Sequence, residues 1–180
     1  ENNHFALDEV ALYASALSAA HVKAAYEKTA YLAQDYACRL DFESNTADSS
    51  DNGFDFTGKG TALTYEKGVN GGTAARFTGG SYLQASKTLA LGTGDSFWIK
   101  DDGTPKFTYI LGNQDYGIGE KAKGTGVMYS GLDHMYMALG DGSSPYAKTN
   151  QSPVDAGKWT HIVYAVDKDG GIKLYKNGEL

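Results

Sequence analysis

Three groups of side chains in this sequence carry enough polar chemistry to act on something. The first lies in the run Glu43-Ser44-Asn45-Thr46-Ala47-Asp48-Ser49-Ser50-Asp51-Asn52-Gly53. There Asp48, Asp51 and Asn52, with carbonyls of Ser50 or Gly53, set hard oxygen donors close together, which suits calcium and not zinc. The same residue types also build a solvated turn in which Asx side chains bond their own backbone, and composition alone serves both outcomes. The second group is a series of tyrosines, Tyr109, Tyr116, Tyr129, Tyr136 and Tyr146, interleaved with Asn113, Gln114, Asp115, Asp133 and Asp141. Flat aromatic faces stack on the C–H face of a sugar ring while amides and carboxylates take its hydroxyls. Tyr109, Asn113, Asp115, Tyr116, Tyr129 and Tyr136 are therefore the expected carbohydrate-binding residues. The third group is Asp41-Phe42-Glu43, whose spacing puts both carboxylates on one face of a strand, as a retaining glycosidase pair would need.

Beyond that pair, nothing converges for catalysis. His4, His21, His134 and His161 are dispersed, and no pair of acids, bases or nucleophiles has a warrant for converging, so the expectation is a protein that is not an enzyme and has no catalytic residues. Cys38 sits between Ala37 and Arg39 in an apolar run and reads as an inert buried thiol. Trp98 and Trp159 lie in apolar strand patterns and read as core.

The elements that must position these groups follow from composition and period. With 23 Gly, 13 Tyr and 7 Phe against 3 Pro in 180 residues, the chain favours short strands joined by tight turns in one main domain. A net charge of −6 with dispersed Lys and Arg lacks the footprint of a nucleic-acid binder. No apolar run approaches the roughly 18 residues of a membrane span. Residues 5–13 alternate as a strand, with Phe5, Leu7, Glu9, Ala11 and Tyr13 on one face and Ala6, Asp8, Val10 and Leu12 on the other. From Ser18, an N-cap, the period becomes helical, predicting a helix over 19–34. A strand at 36–42 follows, then strands at 54–57, 62–66, 74–77, 81–84, 95–100, 107–112, 126–130, 134–139, 159–166 and 171–176. Regular short strands with a single helix predict an all-β antiparallel β-sandwich, a jelly roll with one N-terminal helix.

Six segments in order resemble the bacterial laminin-G-like, concanavalin A-like jelly-roll modules. They are Leu40-Asp41-Phe42-Glu43 with the Asp48 to Gly53 loop, Ala74 to Leu83, Asp95-Ser96-Phe97-Trp98-Ile99-Lys100, Ile110 to Tyr116, Gly157-Lys158-Trp159-Thr160-His161-Ile162, and Lys173 to Glu179. Asp51 stands where the family's loop usually has Gly. Leu7-Asp8-Glu9-Val10-Ala11-Leu12-Tyr13-Ala14-Ser15-Ala16-Leu17-Ser18 is similar to the motif that closes such modules, yet here it stands at the front. The resemblance implies that Asp8 of that motif lies near the acidic loop, joining Asp48, Asp51 and Asn52 around a structural calcium.

The expected organisation is then a closing-strand motif at 1–18, a helix or linker at 19–35, and a laminin-G-like sandwich at 36–180 that reads as cut short at its C-terminal end. Residues 1–18 are either the tail of a preceding module in a tandem array or a permuted strand of this one. The resemblance implies a non-catalytic carbohydrate-binding or adhesion module of a larger exported bacterial protein, secreted or at the cell surface. Its partners would be a glycan or cell-surface polysaccharide, and neighbouring modules or copies of itself. The alternatives are a spacer repeat of a surface fibre that assembles by strand sharing, and a glycoside hydrolase on the same fold.

Overall fold

The computed structural model describes residues 3–27, 36–89, 94–103, 107–113, 123–130, 134–141, 146–148, 153–167, 169 and 171–180. In chain order the elements are β1 (Asn3–Tyr13), α1 (Ala19–Glu27), β2 (Tyr36–Leu40), β3 (Phe56–Lys59), β4 (Thr64–Lys67), β5 (Thr73–Gly79) and β6 (Tyr82–Ala85). They continue with β7 (Gly94–Asp101), β8 (Phe107–Gly112), β9 (Lys123–Ser130), β10 (His134–Asp141), β11 (Tyr146–Lys148), β12 (Thr160–Val166) and β13 (Ile172–Lys176).

Among the described residues the strands form three antiparallel sheets. The largest has the order β13-β12-β7-β1-β5-β4, with β2 also paired to β1; the second runs β11-β10-β9-β8, and β3 pairs with β6. The all-β antiparallel sandwich with one helix is thus the fold observed.

The N-terminal strand is the centre of the large sheet. One side of β1 pairs with β7 from Phe5↔Asp101 to Tyr13↔Gly94. Its other side is shared, with Asn3 to Leu7 on β5 and Val10 to Tyr13 on β2. Residues 1–18 therefore contribute a strand to the same sandwich as residues 36–180.

The change of neighbour coincides with a β-bulge. Three residue steps from Asp8 to Ala11 oppose two from Trp98 to Ser96, and Glu9 takes the left-handed conformation at φ 48°. The extra residue reverses the alternation, so the core receives Phe5 and Leu7 before the bulge and Val10 and Leu12 after it. This corrects the simple alternation expected for residues 5–13: Glu9, Ala11 and Tyr13 do not share a face with Phe5 and Leu7.

The core lies between the large sheet and the four-stranded one. Phe5, Leu7, Val10, Leu12, Phe77, Phe97, Ile99, Ile162 and Tyr164 of the former cluster with Val127, Tyr129, Met135 and Met137 of the latter. Phe5 stacks on Phe77 at 5.3 Å between centroids, and Phe42 meets Phe77 edge-on. Each such side chain removed from water contributes about 1.5–3 kcal/mol.

The opposite face of the large sheet is partly covered by α1. The hydroxyl oxygen of Ser18 accepts a bond from the His21 N–H at 3.3 Å, confirming the N-cap. Val22, fully buried, packs with Ala11, Tyr13, Leu17, Val163, Ala165 and Tyr175. Tyr26 stacks on Trp98 and His161, at 5.6 and 5.9 Å between centroids. The helix is described to Glu27, and residues 28–34 of the expected longer helix lie outside the described residues. Beside Tyr26, Asn177 (φ 51°) and Gly178 (φ 83°) make an Asn-Gly turn, with Asn177 Oδ1 accepting from the His161 N–H at 3.0 Å.

Candidate functional site

The residues expected to meet a sugar divide according to strand parity. In β9, Val127 and Tyr129 face the core, so Met128 between them faces outward. In β10, Met135 and Met137 face the core, so Tyr136 faces outward. Register then aligns three residues in one row across the outer face of the four-stranded sheet: Tyr109 of β8 opposes Met128, and Met128 opposes Tyr136 of β10. A bulge between Tyr109 and Leu111 lets both Tyr109 face outward and Leu111 oppose the core residue Val127. Tyr109 is 39% exposed, Tyr136 is half-buried, and Met128 between them is fully buried.

The ring of Tyr109 reaches along its own strand towards Gly112. A Cβ built on Gly112 would stand 3.5 Å from the ring's Cδ1, an ordinary contact distance. The Tyr109 ring therefore rests close over a residue without a side chain of its own.

Two of the expected contacts have structural duties. Tyr129 is 4% exposed, its ring in the core and its hydroxyl bonded to Asp101 Oδ2 at 2.9 Å. It is packing, which corrects its assignment as a sugar platform: a two-residue repeat from Val127 turns it inward. Asn113 is exposed, but its Oδ1 accepts from the Thr125 N–H at 2.7 Å and its Nδ2 donates to the Leu89 carbonyl at 2.9 Å. Its amide ties β8 to β9 and to the segment after β6. Asp115 and Tyr116 lie outside the described residues, as do Gln114 and Asp133, while Tyr146 opposes Ala138 in the β10–β11 pair.

Parity also exposes an aromatic that the sequence reading assigned to a family segment without a ligand role. Tyr82 of β6 is 53% exposed, because Leu83 beside it turns into the core. The alternation Tyr82-Leu83-Gln84-Ala85 is the signal that could have identified it.

The acidic loop is closed by donors from its own backbone. Asp48 Oδ1 accepts from the N–H groups of Arg39 and Ser50 at 3.0 and 2.9 Å. Its Oδ2 accepts from the Ser50 hydroxyl at 2.8 Å and the Phe54 N–H at 2.9 Å. Burial works against the charge, but these donors outweigh it and hold the carboxyl below the usual aspartate range. Asn52 Nδ2 donates to the Tyr36 carbonyl at 2.7 Å, and Asp51 is exposed.

Asp8 has a different set of neighbours. It is 3% exposed at the β1 bulge, its Oδ2 accepting from the Val69 N–H at 2.8 Å and its Oδ1 from the Glu9 N–H at 2.9 Å. Burial pushes its carboxyl up to about 6, helped by the charges of Glu9 and Glu43 and opposed by the two N–H groups. Asp8, Asp48, Asp51 and Asn52 thus do not fit calcium as one donor set. The oxygens of Asp48 are taken by N–H and O–H donors, and Asp8 is bonded to the 68–72 loop. Among the described residues no three His, Cys, Asp or Glu side chains gather as a metal-ion set.

Asp41 and Glu43 also part company. Regular β2 ends at Leu40 and Phe42 takes a φ of 56°, so the same-face alternation expected over 36–42 does not hold. Asp41 pairs with Arg39, which also holds Glu9 at 3.0 Å, while Glu43 accepts from the Thr73 N–H at 3.0 Å. Cys38 is buried as expected, and burial raises its thiol to about 12, far from a reactive thiolate.

No helix among the described residues is long and apolar enough to cross a membrane. Compared with known proteins, residues 77–180 match a family model described as the concanavalin A-like lectin/glucanases superfamily. No curated protein and no solved structure matches the chain.

Proposed function

The chain belongs to the concanavalin A-like lectin/glucanases superfamily, and on that premise we propose that it is a non-catalytic glycan-binding or adhesion module of a larger exported bacterial protein. The observation that carries this reading is the row of Tyr109 and Tyr136 on the outer face of the four-stranded sheet, one ring 39% exposed and the other half-buried. Such rings give a sugar an aromatic surface on which to stack. The superfamily contains binders and hydrolases alike, so the argument rests on the site and not on the fold. For the hydrolase reading, the separate partners of Asp41 and Glu43 count against a paired attack on a glycosidic bond.

A broad glycan array, probed with calcium and with chelator, tests the proposal. Binding that survives chelator and weakens in Tyr109→Ala or Tyr136→Ala fits it, since the oxygen-bearing residues expected to hold calcium do not converge. An array that stays blank under both conditions with folded protein would overturn it.

A further inference from the structure

The chain contains three Asn-Gly dipeptides, Asn52-Gly53, Asn70-Gly71 and Asn177-Gly178, and each glycine has a positive φ. A glycine after asparagine leaves its peptide nitrogen unshielded, so that nitrogen can approach the side-chain amide carbon of the residue before it. We propose that Asn70 is a site of spontaneous covalent modification, deamidating through a cyclic imide in the folded protein while Asn52 and Asn177 are protected. The reaction needs only water. The Gly71 peptide nitrogen gives its proton to solvent base and bonds to Cγ of Asn70; the Cγ–Nδ2 bond breaks, and Nδ2 takes up a proton and departs as ammonia. Water then opens the imide ring at either carbonyl, leaving aspartate or isoaspartate.

The surroundings separate the three sites. Asn52 Nδ2 donates to the carbonyls of Tyr36 and Ala37 at 2.7 and 3.3 Å, and the Asn52 carbonyl accepts from Lys87 at 3.0 Å, so the leaving nitrogen is anchored to β2. Asn177 is anchored at its other amide atom. Its Oδ1 accepts from the His161 N–H at 3.0 Å, and a Cβ on Gly178 would stand 3.1 Å from the Tyr26 ring, so this turn is packed against α1. Asn70 is exposed, with Nδ2 donating at 3.2 Å to a side-chain atom, Oε1 of Glu9, and a Cβ on Gly71 would meet nothing within 4 Å. A bond between two side chains yields to rotation more readily than one that ties an amide to a strand, and the space around Gly71 is open to water.

The loop that changes is the one that clasps β1. The Val69 N–H donates to Asp8 Oδ2 at 2.8 Å, and the Gly68 N–H closes the turn on the Gly72 carbonyl at 2.9 Å. Aspartate at position 70 sets a carboxylate against that of Glu9 where the amide had donated, and isoaspartate adds a backbone carbon inside the closed turn. Either product loosens the loop from the β1 bulge.

The test is ageing of the intact protein at mildly alkaline pH, folded and in urea, with each site followed by peptide mapping, mass spectrometry and isoaspartate detection. Folding should slow Asn52 and Asn177 roughly tenfold or more relative to urea, the scale of a hydrogen bond that must break first, and should leave Asn70 nearly as fast as in urea. As Asn70 converts, the melting temperature of the parent should fall, while Asn70→Gln, whose longer side chain closes the ring far more slowly, should keep its value over the same period. Asn70 slowed by folding as much as the other two, or all three reacting as fast folded as unfolded, overturns the assignment. Conversion concentrated at Asn70 with an unchanged melting temperature overturns the loosening of the loop and leaves the modification site standing.

Discussion

The hydroxyl of Tyr129, on the four-stranded sheet, donates a 2.9 Å hydrogen bond to Oδ2 of Asp101, on the large sheet, and so ties the two layers of the sandwich together. Asp101 is 4% exposed; burial raises its carboxyl above the usual range, and the Tyr129 hydroxyl is the strongest influence pulling it back. Tyr129→Phe keeps the ring and removes that donor from a buried carboxylate. The expected cost is about 1–3 kcal/mol in urea unfolding at neutral pH, shrinking in acid as Asp101 takes up a proton. Glycan affinity should be unchanged, because the ring faces the core.

The aromatic stack of Tyr26 on Trp98 and His161 makes α1 part of the module's stability. Trp98 and His161 lie 4.9 Å apart between centroids, and the Nε2 of His161 is 2.9 Å from the Ser96 hydroxyl, so the stack sits on a fixed polar anchor. Tyr26→Ala should uncover both rings and cost about 1–3 kcal/mol. Tryptophan fluorescence reports it directly: Trp98 emission should shift to the red in the variant at temperatures where the fold persists. An unshifted spectrum with unchanged stability would show that the helix does not protect that face.

How far the sequence disclosed this arrangement depends on where an anchor existed for strand parity. The strands, the N-cap at Ser18 and the Asn-Gly turn follow from local patterns, and all three are present. The central position of β1 does not follow from residues 5–13 alone, because pairing partners distant in sequence decide which strands flank it. The bulge at Glu9 was hidden for a local reason: a positive φ there is borne by a residue without Gly or Asn character. At the candidate site, Tyr109, Tyr129 and Tyr136 look alike in sequence. Only register and the core positions of Val127, Met135 and Met137 separate one buried tyrosine from two outward ones. The acidic loop was legible as a turn or an ion site, and the N–H groups that fill Asp48 are visible only once Arg39 and Phe54 are brought to it.

Asp48 closes its loop by accepting four hydrogen bonds, from the N–H groups of Arg39, Ser50 and Phe54 and the Ser50 hydroxyl. Asp48→Ala removes all of them and leaves N–H groups of a half-buried turn without acceptors. A loss of about 2–4 kcal/mol is expected, on the scale of one to three for each donor left buried, moderated by access of water. A turn held in this way has no need of an added cation, so the melting temperature of the parent protein should be the same in calcium and in chelator. A calcium-dependent rise in melting temperature would show that the ion displaces these donors.

Asp8 sets a pH dependence whose sign can be stated. In the fold burial pushes its carboxyl up to about 6, above the ordinary aspartate value of 3.8. Between those two values the folded chain holds a proton that the unfolded chain has released, so stability falls as pH rises through this window. The contribution is fully present below the unfolded value and lost above the folded one, a difference on the order of 2–3 kcal/mol. Asp48 runs the other way, since its depressed value loses stability as acid protonates it, and total stability therefore mixes the two. The comparison that isolates Asp8 is the parent against Asp8→Asn, unfolded by urea at a series of pH values from 4 to 7. Asn cannot titrate, and its amide turns a donor towards the N–H of either Val69 or Glu9, so the variant should be weaker at acidic pH. Its deficit should then narrow by about 2 kcal/mol as pH rises to neutral, as the parent begins to bear a buried charge. A deficit that stays constant from pH 4 to 7 would show that Asp8 ionises normally beneath the 68–72 loop.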